Sequence, residues 1–177
     1  MQTLLDKFSI TADIKFLIII LLSFFPFLTN AVEISWNPQT YTITDGDTLK
    51  RNGVRYRLEG MDAPEINQIC TLNNQDWECG LAAALYLEQL HGTDGFECED
   101  LGQDRYKRVL ARCYILEDDN RMDIGSLMVR EGYALAYRRY SKDYIDEEEL
   151  AKENNKGLWR SKFIKPWEWR RDKSKRK

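Results

Sequence analysis

Carboxylates and arginines are the side chains of this sequence whose types and spacing could do chemistry. The chain contains a single histidine, which excludes any scheme that needs a histidine pair as metal ligands or as acid and base. It contains neither a Gly-x-Ser-x-Gly nucleophile motif nor a Gly-x-x-x-x-Gly-Lys phosphate loop. Carboxylates combined with arginines are typical of metal-assisted phosphoryl chemistry. The acidic turns and the arginine-bearing strands are therefore the candidate functional residues.

The first acidic stretch is Asp45-Gly46-Asp47-Thr48. Asp-Gly is a frequent dipeptide of tight hairpin turns, so the stretch could be a plain turn. Calcium takes oxygen ligands from carboxylates and carbonyls, and two aspartates in a tight turn could also supply these. The stretch by itself leaves both interpretations open.

The second acidic stretch is Asp62-Ala63-Pro64-Glu65. Pro64 restricts its own φ and biases Ala63 towards extended geometry. The Asp62 carboxylate, the Ala63 carbonyl and the Glu65 carboxylate would then be held in a stiff arrangement, as metal ligands and a base require. An exposed turn is the alternative interpretation of this stretch.

Two arginines, Arg57 and Arg108, are predicted to lie on strand faces opposite the apolar residues. A guanidinium can form two parallel hydrogen bonds to a phosphate and can stabilise the charge that develops during phosphoryl transfer. A solvated strand residue is the alternative for either arginine. The combination with the two acidic stretches favours phosphate chemistry.

Tight turns and alternating strands must position these residues. Residues 41–44, 48–51 and 54–58 are predicted as three strands, joined by turns at Asp45-Gly46 and Asn52-Gly53. Residues 96–99 and 109–115 are predicted as a second hairpin. Several short strands with helices inserted and appended predict a small barrel that carries helices.

Three helices are predicted, over residues 80–90, 122–134 and 145–156. The first should bury a face that contains Leu81, Ala84 and Leu85. Its end is indicated by His91-Gly92, and the end of the third by Gly157.

The chain has four cysteines, with no Cys-x-x-Cys pair to indicate zinc. Three disulfide pairings are possible. Folding the second hairpin symmetrically puts Cys98 opposite Cys113, so we favour Cys98–Cys113 together with Cys70–Cys79.

The amino-terminal residues resemble an export signal. An apolar run over residues 16–28 is shorter than the roughly 20 residues of a membrane-spanning helix, and small residues precede a possible cleavage after Ala31. We therefore expect a signal peptide over residues 1–31 and a secreted or periplasmic protein. An uncleaved membrane anchor is the alternative.

The remaining chain divides into a domain over residues 32–169 and a basic end over residues 170–177. The formal net charge of −3 argues mildly against non-specific binding to nucleic acid. The basic end is expected to be disordered and solubilising, with extra phosphate contact as the alternative.

Four segments in order, TDGDT, YRLEGMDAPE, DRYKRVLARCYI and GLW, resemble the staphylococcal nuclease (thermonuclease) family. The resemblance covers residues 41–159. It implies a five-stranded OB-fold barrel with three α-helices, and a Ca²⁺-dependent hydrolase of DNA and RNA that leaves 3′-phosphates. We expect a monomer with no stable protein partner. A non-catalytic member of the same fold, which binds protein or nucleic acid, is the alternative.

The resemblance also implies roles for individual residues. It implies that Asp47, Asp62 and the backbone carbonyl of Ala63 bind Ca²⁺, with Asp45 supporting them from behind. It implies that Glu65 is the general base, that Arg57 and Arg108 hold the phosphate, and that Tyr106 and Tyr137 lie near the nucleotide.

Lys107 departs from the family pattern, because glycine is frequent just before the second arginine. If this position has a positive φ, Lys107 is strained; if not, it adds positive charge beside the phosphate and contributes to substrate binding.

Overall fold

Two tight turns join the first three strands into an antiparallel meander. The computed structural model describes residues 37–117 and 120–175, and the predicted signal peptide therefore lies outside the described residues. The strands are β1 (Thr42–Asp45), β2 (Thr48–Arg51) and β3 (Val54–Leu58). Asn52 and Gly53 have φ angles of 50° and 81°, as a type I′ turn requires. The second turn is thus found where its dipeptide indicates it, whereas the first turn consists of Gly46 and Asp47, one residue later than predicted, because Asp45 belongs to β1.

A parallel pairing extends this meander into a six-stranded sheet. The later strands are β4 (Met61–Asp62), β5 (Cys70–Leu72), β6 (Gln75–Trp77), β7 (Glu97–Gln103), β8 (Val109–Glu117), β9 (Asn120–Asp123) and β10 (Leu135–Ala136). The sheet order is β1-β2-β3-β8-β7, with β9 also paired to β8. β3 and β8 run parallel, with Tyr56 opposite Val109. This pairing brings Arg57 close to the residue that precedes β8, which is Arg108.

The described residues contain four α-helices, one more than predicted. They are α1 (Cys79–His91), α2 (Ile124–Arg130), α3 (Ile145–Glu153) and α4 (Pro166–Lys175), with a 3₁₀ turn over Gly157–Arg160. The fold is therefore a mixed α+β fold. No described helix is long and apolar enough to cross a membrane.

The prediction for the buried face of α1 was wrong in part. Leu81 and Leu85 are exposed, whereas Ala83, Ala84 and Leu87 are buried. The small residues face the core because the helix approaches the β1–β2 turn closely: a Cβ placed on Gly46 would lie 2.8 Å from the Cβ of Ala83. A leucine at position 83 would hold the helix further from the turn.

The second and third helices are shorter than predicted. Met122 and Asp123 belong to β9, where Met122 pairs with Ile115. The Asp123 carboxylate then accepts hydrogen bonds from the backbone N–H groups of Gly125 and Ser126, which caps α2. α3 ends at Glu153 because Asn155 adopts a positive φ of 50°.

Two disulfides, Cys70–Cys79 and Cys98–Cys113, are present, and these are the pairings that the sequence favours. Cys98 lies directly opposite Cys113 in the β7–β8 ladder. The other disulfide joins β5 to the start of α1. The bond therefore links α1 to the segment that follows the second acidic stretch, and α1 also packs against that stretch.

The expectation of a disordered basic end from residue 170 was wrong for the part that the structure describes. Helix α4 starts at Pro166 and continues through Lys175. Proline is favoured at the first position of a helix, since its missing N–H would have no partner there and its φ is already helical. Arg170 holds the helix against the rest of the domain.

Candidate active site

The β1–β2 turn directs the Asp47 side chain into the protein. The backbone N–H of Asp47 donates to the Asp45 carboxylate at 3.1 Å, which tightens the turn. Asp47 is 5% exposed and accepts hydrogen bonds from the Thr48 hydroxyl at 3.0 Å and from the Ala63 backbone N–H at 3.0 Å. The last contact joins the first acidic stretch to the second.

Arg57 bridges the two acidic stretches. Its Nη1 forms an ion pair with the Asp47 carboxylate, and its Nη2 contacts Asp62 Oδ1 at 2.6 Å and the Met61 carbonyl at 3.1 Å. The Asp62 side chain is fully buried. Burial lowers the pKa of Arg57, while the Asp62 charge acts in the opposite direction and the charges of Arg108 and Arg170 add to the lowering.

Asp45 lies behind this cluster. Burial raises the pKa of the Asp45 carboxyl, against the opposing effects of a hydrogen bond from Thr48 and the charge of Arg57. Asp45 thus holds the turn in shape while Asp47 points at Arg57.

Glu65 is held by its backbone from two sides. The side chain of Gln68, which is fully buried, accepts from the Glu65 N–H at 3.3 Å, and the Gln68 N–H donates to the Glu65 carbonyl at 2.7 Å. Gly80 packs against the same carbonyl so closely that a Cβ there would lie 1.8 Å from the oxygen. The Glu65 side chain itself remains 34% exposed. A fixed backbone with an accessible carboxylate suits a group that meets substrate.

Arg170, in helix α4, contacts the carboxylates of Asp62 and Glu65. Its guanidinium contacts both oxygens of Asp62, at 3.1 Å and 2.7 Å, and Glu65 Oε1 at 2.8 Å. Burial alone would lower the pKa of Arg170, but hydrogen bonds with Asp62 and Glu65 raise it. Asp62 and Glu65 therefore face a common point, which a positive charge occupies.

Arg108 is near the cluster but pairs elsewhere. Its Nε and Nη2 both contact Asp104 Oδ2 at 2.8 Å, within the β7–β8 hairpin. Burial by itself would raise the pKa of Asp104, but hydrogen bonds from the backbone and side chain of Arg108 lower it. The structure thus holds Arg108 beside the cluster without contact to Asp47, Asp62 or Glu65 among its described hydrogen bonds and ion pairs.

The hairpin tip carries two of the predicted substrate-binding residues. Tyr106 is 58% exposed, and the guanidinium of Arg108 lies 5.6 Å from the centre of its ring. Lys107 has a φ of 61°, so the position does adopt the left-handed conformation that glycine favours. Both side chains are open to an approaching ligand.

Tyr137, the third predicted substrate-binding residue, is covered by α4. Its ring stacks on Trp167 with 5.3 Å between centroids and 14° between planes, and Tyr140 packs on it edge-on. The Tyr137 N–H donates to the Gly60 carbonyl at 2.9 Å, which fixes it next to the second acidic stretch.

Sequence reasoning missed Gln68 and Gly80, and it placed neither Trp167 nor Arg170 at the acidic stretches. A glycine inside the first turn of a predicted helix is a weak sign of close packing, and it could have indicated Gly80. Nothing local distinguishes Gln68 in a polar loop or Arg170 in a basic end. The lone histidine, His91, is structural: it is buried and accepts from the Tyr41 N–H at 2.9 Å.

Oxygen atoms are the donors that the site offers to a metal. Within the described part of the chain, no group of three or more His, Cys, Asp or Glu side chains is arranged to hold a metal ion. The metal ligands predicted from the sequence include only two such side chains, Asp47 and Asp62, together with the backbone carbonyl of Ala63. Both carboxylates already contact guanidinium cations, and carboxylate and carbonyl oxygens are the ligands that calcium prefers.

The site therefore combines buried carboxylates, neighbouring arginines and a partly exposed glutamate within a mixed α+β fold. Residues 55–161 match the staphylococcal nuclease homologue family, and the chain belongs to that family. The matched region includes Arg57, Asp62, Glu65 and Arg108.

Relatives in several bacteria share most of the chain. An uncharacterized endonuclease of Haemophilus influenzae is 33% identical over 73% of this chain and 70% of its own length. The micrococcal nuclease of Shigella flexneri is 32% identical over 73% of this chain and 77% of its own. The succinoglycan biosynthesis protein ExoI of Rhizobium meliloti is 31% identical over 68% of this chain, and the match spans 63% of its own length.

Proposed function

We propose that this protein is a Ca²⁺-dependent phosphodiesterase that hydrolyses DNA and RNA. The observation that carries the proposal is that the Arg170 guanidinium contacts Asp62 and Glu65 together, which means that a buried carboxylate and an accessible carboxylate face one cation position. The nuclease names of the Haemophilus and Shigella relatives support the same activity.

Carboxylate and carbonyl oxygens near this position are the kinds of ligand that calcium prefers. Asp47, Asp62 and the carbonyl of Ala63 would hold the ion, with Asp45 supporting the Asp47 turn. Bound there, calcium would neutralise charge on the scissile phosphate.

Glu65 would act as the general base. Its carboxylate takes a proton from water, whose oxygen forms a bond to phosphorus in line with the bond that breaks. The 5′ oxygen leaves and takes up a proton from solvent, so the products carry a 3′-phosphate and a 5′-hydroxyl. The exposed fraction of Glu65 and its clamped backbone support this role.

Arg57 and Arg108 would bind the phosphate and stabilise its additional negative charge. A guanidinium has five N–H donors, so Arg57 can keep a contact with Asp62 while it donates others to phosphate. Arg108 would exchange part of its pairing with Asp104 for the phosphate. Tyr106, Lys107 and Tyr137 would contact the rest of the nucleotide, Tyr137 through the part of its ring that Trp167 leaves uncovered.

The proposal includes an exported monomer, with an uncleaved membrane anchor as the alternative. The two disulfides support export, because such bonds persist mainly outside the cytoplasm. It also includes a five-stranded OB barrel, for which β1, β2, β3, β8 and β7 are the candidate strands.

A nuclease assay on the purified, oxidised protein tests the proposal. We expect single-stranded DNA to be lost in Ca²⁺ and to persist in EGTA. Glu65→Gln should lower the rate by about 10²- to 10⁴-fold, because a general base typically contributes that much. Glu59→Gln, the same change six residues earlier, is the matched control and should leave the rate unchanged.

A folded Glu65→Gln protein that cleaves at the wild-type rate would remove Glu65 from the mechanism. No cleavage by the folded, disulfide-bonded wild type in Ca²⁺ would instead favour a non-catalytic binding module.

A further inference from the structure

Helix α4 places an arginine on the two acids that the proposed chemistry needs free. Arg170 Nη2 lies 2.7 Å from Asp62 Oδ2, and its Nη1 lies 3.1 Å from Asp62 Oδ1 and 2.8 Å from Glu65 Oε1. This is a bidentate pair with a fully buried carboxylate, and such charge-assisted pairs are the stronger hydrogen bonds of proteins. The Arg170 guanidinium is therefore held in one defined orientation against Asp62.

Two further contacts hold the helix over the site. Trp167 precedes Arg170 by three residues, so both lie on the same face of α4, and Trp167 stacks on Tyr137. Just before the helix, the Ile164 carbonyl accepts a hydrogen bond from the buried Gln68 side chain at 2.7 Å. Gln68 also contacts the Glu65 backbone. The helix is thus anchored on both sides of the acidic stretch.

The guanidinium and a divalent cation cannot use Asp62 in the same way at the same time. Asp62 Oδ1 contacts both Arg57 and Arg170, and Oδ2 contacts Arg170. A divalent cation added beside two guanidinium groups would be repelled by both at short range. Arg170 must therefore withdraw from Asp62 before this carboxylate can bind a metal.

We propose that Arg170 is an intramolecular competitor for the calcium position, so that the carboxy-terminal helix sets the Ca²⁺ concentration at which the site becomes competent. The inference rests on the proposed function, since it needs a calcium site at Asp62. With Arg170 in place the Glu65 carboxylate is paired as well, because Arg170 Nη1 contacts Glu65 Oε1.

Direct measurement of calcium binding tests this inference. Equilibrium dialysis with radioactive Ca²⁺ gives a dissociation constant for the full-length wild type, Arg170→Ala and Arg171→Ala. We expect Arg170→Ala to bind Ca²⁺ about tenfold more tightly, within the 5- to 150-fold range of typical couplings between two binding events. Arg171→Ala removes the same charge from the neighbouring exposed position of the helix and should bind like the wild type.

Arg170→Lys is a second variant that keeps the positive charge. Lysine cannot fork onto both oxygens of Asp62, so this variant should bind Ca²⁺ more tightly than the wild type but less tightly than Arg170→Ala. It decides the question if Arg170→Ala does not fold. The Ca²⁺ concentration for half-maximal cleavage should fall in the same order.

Equal or weaker binding by both Arg170 variants would overturn the inference and would make Arg170 a residue that positions the carboxylates. Absence of Ca²⁺ binding by the wild type and by both variants would contradict the calcium site itself. The two failures are therefore distinguishable.

Discussion

Arg57 is a buried cation that is stabilised by Asp47 and Asp62. A buried charge without partners destabilises the folded state, and removal of one member of a buried ion pair commonly costs roughly 3–5 kcal/mol of stability. Substitution of Arg57 would therefore change the fold and the chemistry together. Glu65 is the more informative target, because its side chain is partly exposed and its loss leaves no unpaired charge in the core.

At position 107 the backbone conformation favours glycine, whereas the proposed contact with substrate needs the lysine charge. The φ of 61° at Lys107 disfavours any residue with a Cβ, by roughly 1 kcal/mol or more. We expect Lys107→Gly to raise the free energy of unfolding by up to about 1 kcal/mol and to weaken substrate binding, since it removes a charge from the exposed hairpin tip.

Urea unfolding and the KM for single-stranded DNA would measure these two effects. Lys107→Ala is the control, because it removes the charge and keeps the Cβ. If the alanine variant were as stable as the glycine variant, the strain at this position would be negligible.

Helix α1 positions Glu65 through its first turn. Gly80 contacts the Glu65 carbonyl directly, and the Gly80 N–H donates to the Gln68 carbonyl at 3.2 Å. Small residues in this helix allow the approach, and the neighbouring Cys70–Cys79 disulfide secures it. The position of the proposed base is thus decided by packing of a helix on a loop.

Gly80→Ala tests this packing. A Cβ would lie 1.8 Å from a backbone oxygen, so the acidic stretch or the helix has to move. We expect the free energy of unfolding to fall by about 1–3 kcal/mol, as for other overpacked sites, and the cleavage rate to fall as Glu65 shifts.

Thermal unfolding and the cleavage assay would report both changes. Leu81→Ala, at the next residue, shortens an exposed side chain and should have little effect on either. Wild-type stability and activity in Gly80→Ala would show that the loop tolerates displacement.

The parallel pairing of β3 with β8 joins the two halves of the site. Arg57 in β3 is opposite Leu110 in β8, so Arg108 and the hairpin tip are brought to the strand that carries Arg57. This pairing connects segments about 50 residues apart in the chain, and no local motif indicates it.

At the scale of the whole molecule, two disulfides cross-link the fold. Cys98–Cys113 closes a separation of 15 residues across the β7–β8 ladder that carries Arg108. We expect the double variant Cys98→Ser, Cys113→Ser to lose about 3 kcal/mol of the free energy of unfolding, as chain-entropy estimates give for such a loop.

Urea unfolding of the oxidised proteins would measure this loss. Wild type with reducing agent should be at least as destabilised, because both disulfides are then open. An unchanged urea midpoint in the double variant would mean that the ladder is stable without the bond.

Local sequence was enough to predict the second turn and the pairing of the cysteines, and to identify the acidic stretches as candidate functional residues. Asn52-Gly53 forms its turn because the required φ angles suit those two residues, and Cys98 meets Cys113 because hairpin register follows from the strands beside the turn. These features depend on neighbours within a few residues, or within one hairpin, and can be predicted without the rest of the fold.

Tertiary structure alone decided which side of α1 is buried, where α4 lies and what contacts the acids. Arg170 meets Asp62 across 108 residues of chain, and Gln68 meets Ile164 across 96. Such contacts depend on how whole elements pack, since a guanidinium in a basic segment has no local property that identifies its partner. The sequence determined which side chains could act, whereas the packing of the carboxy-terminal helix decided that an arginine occupies their common cation position.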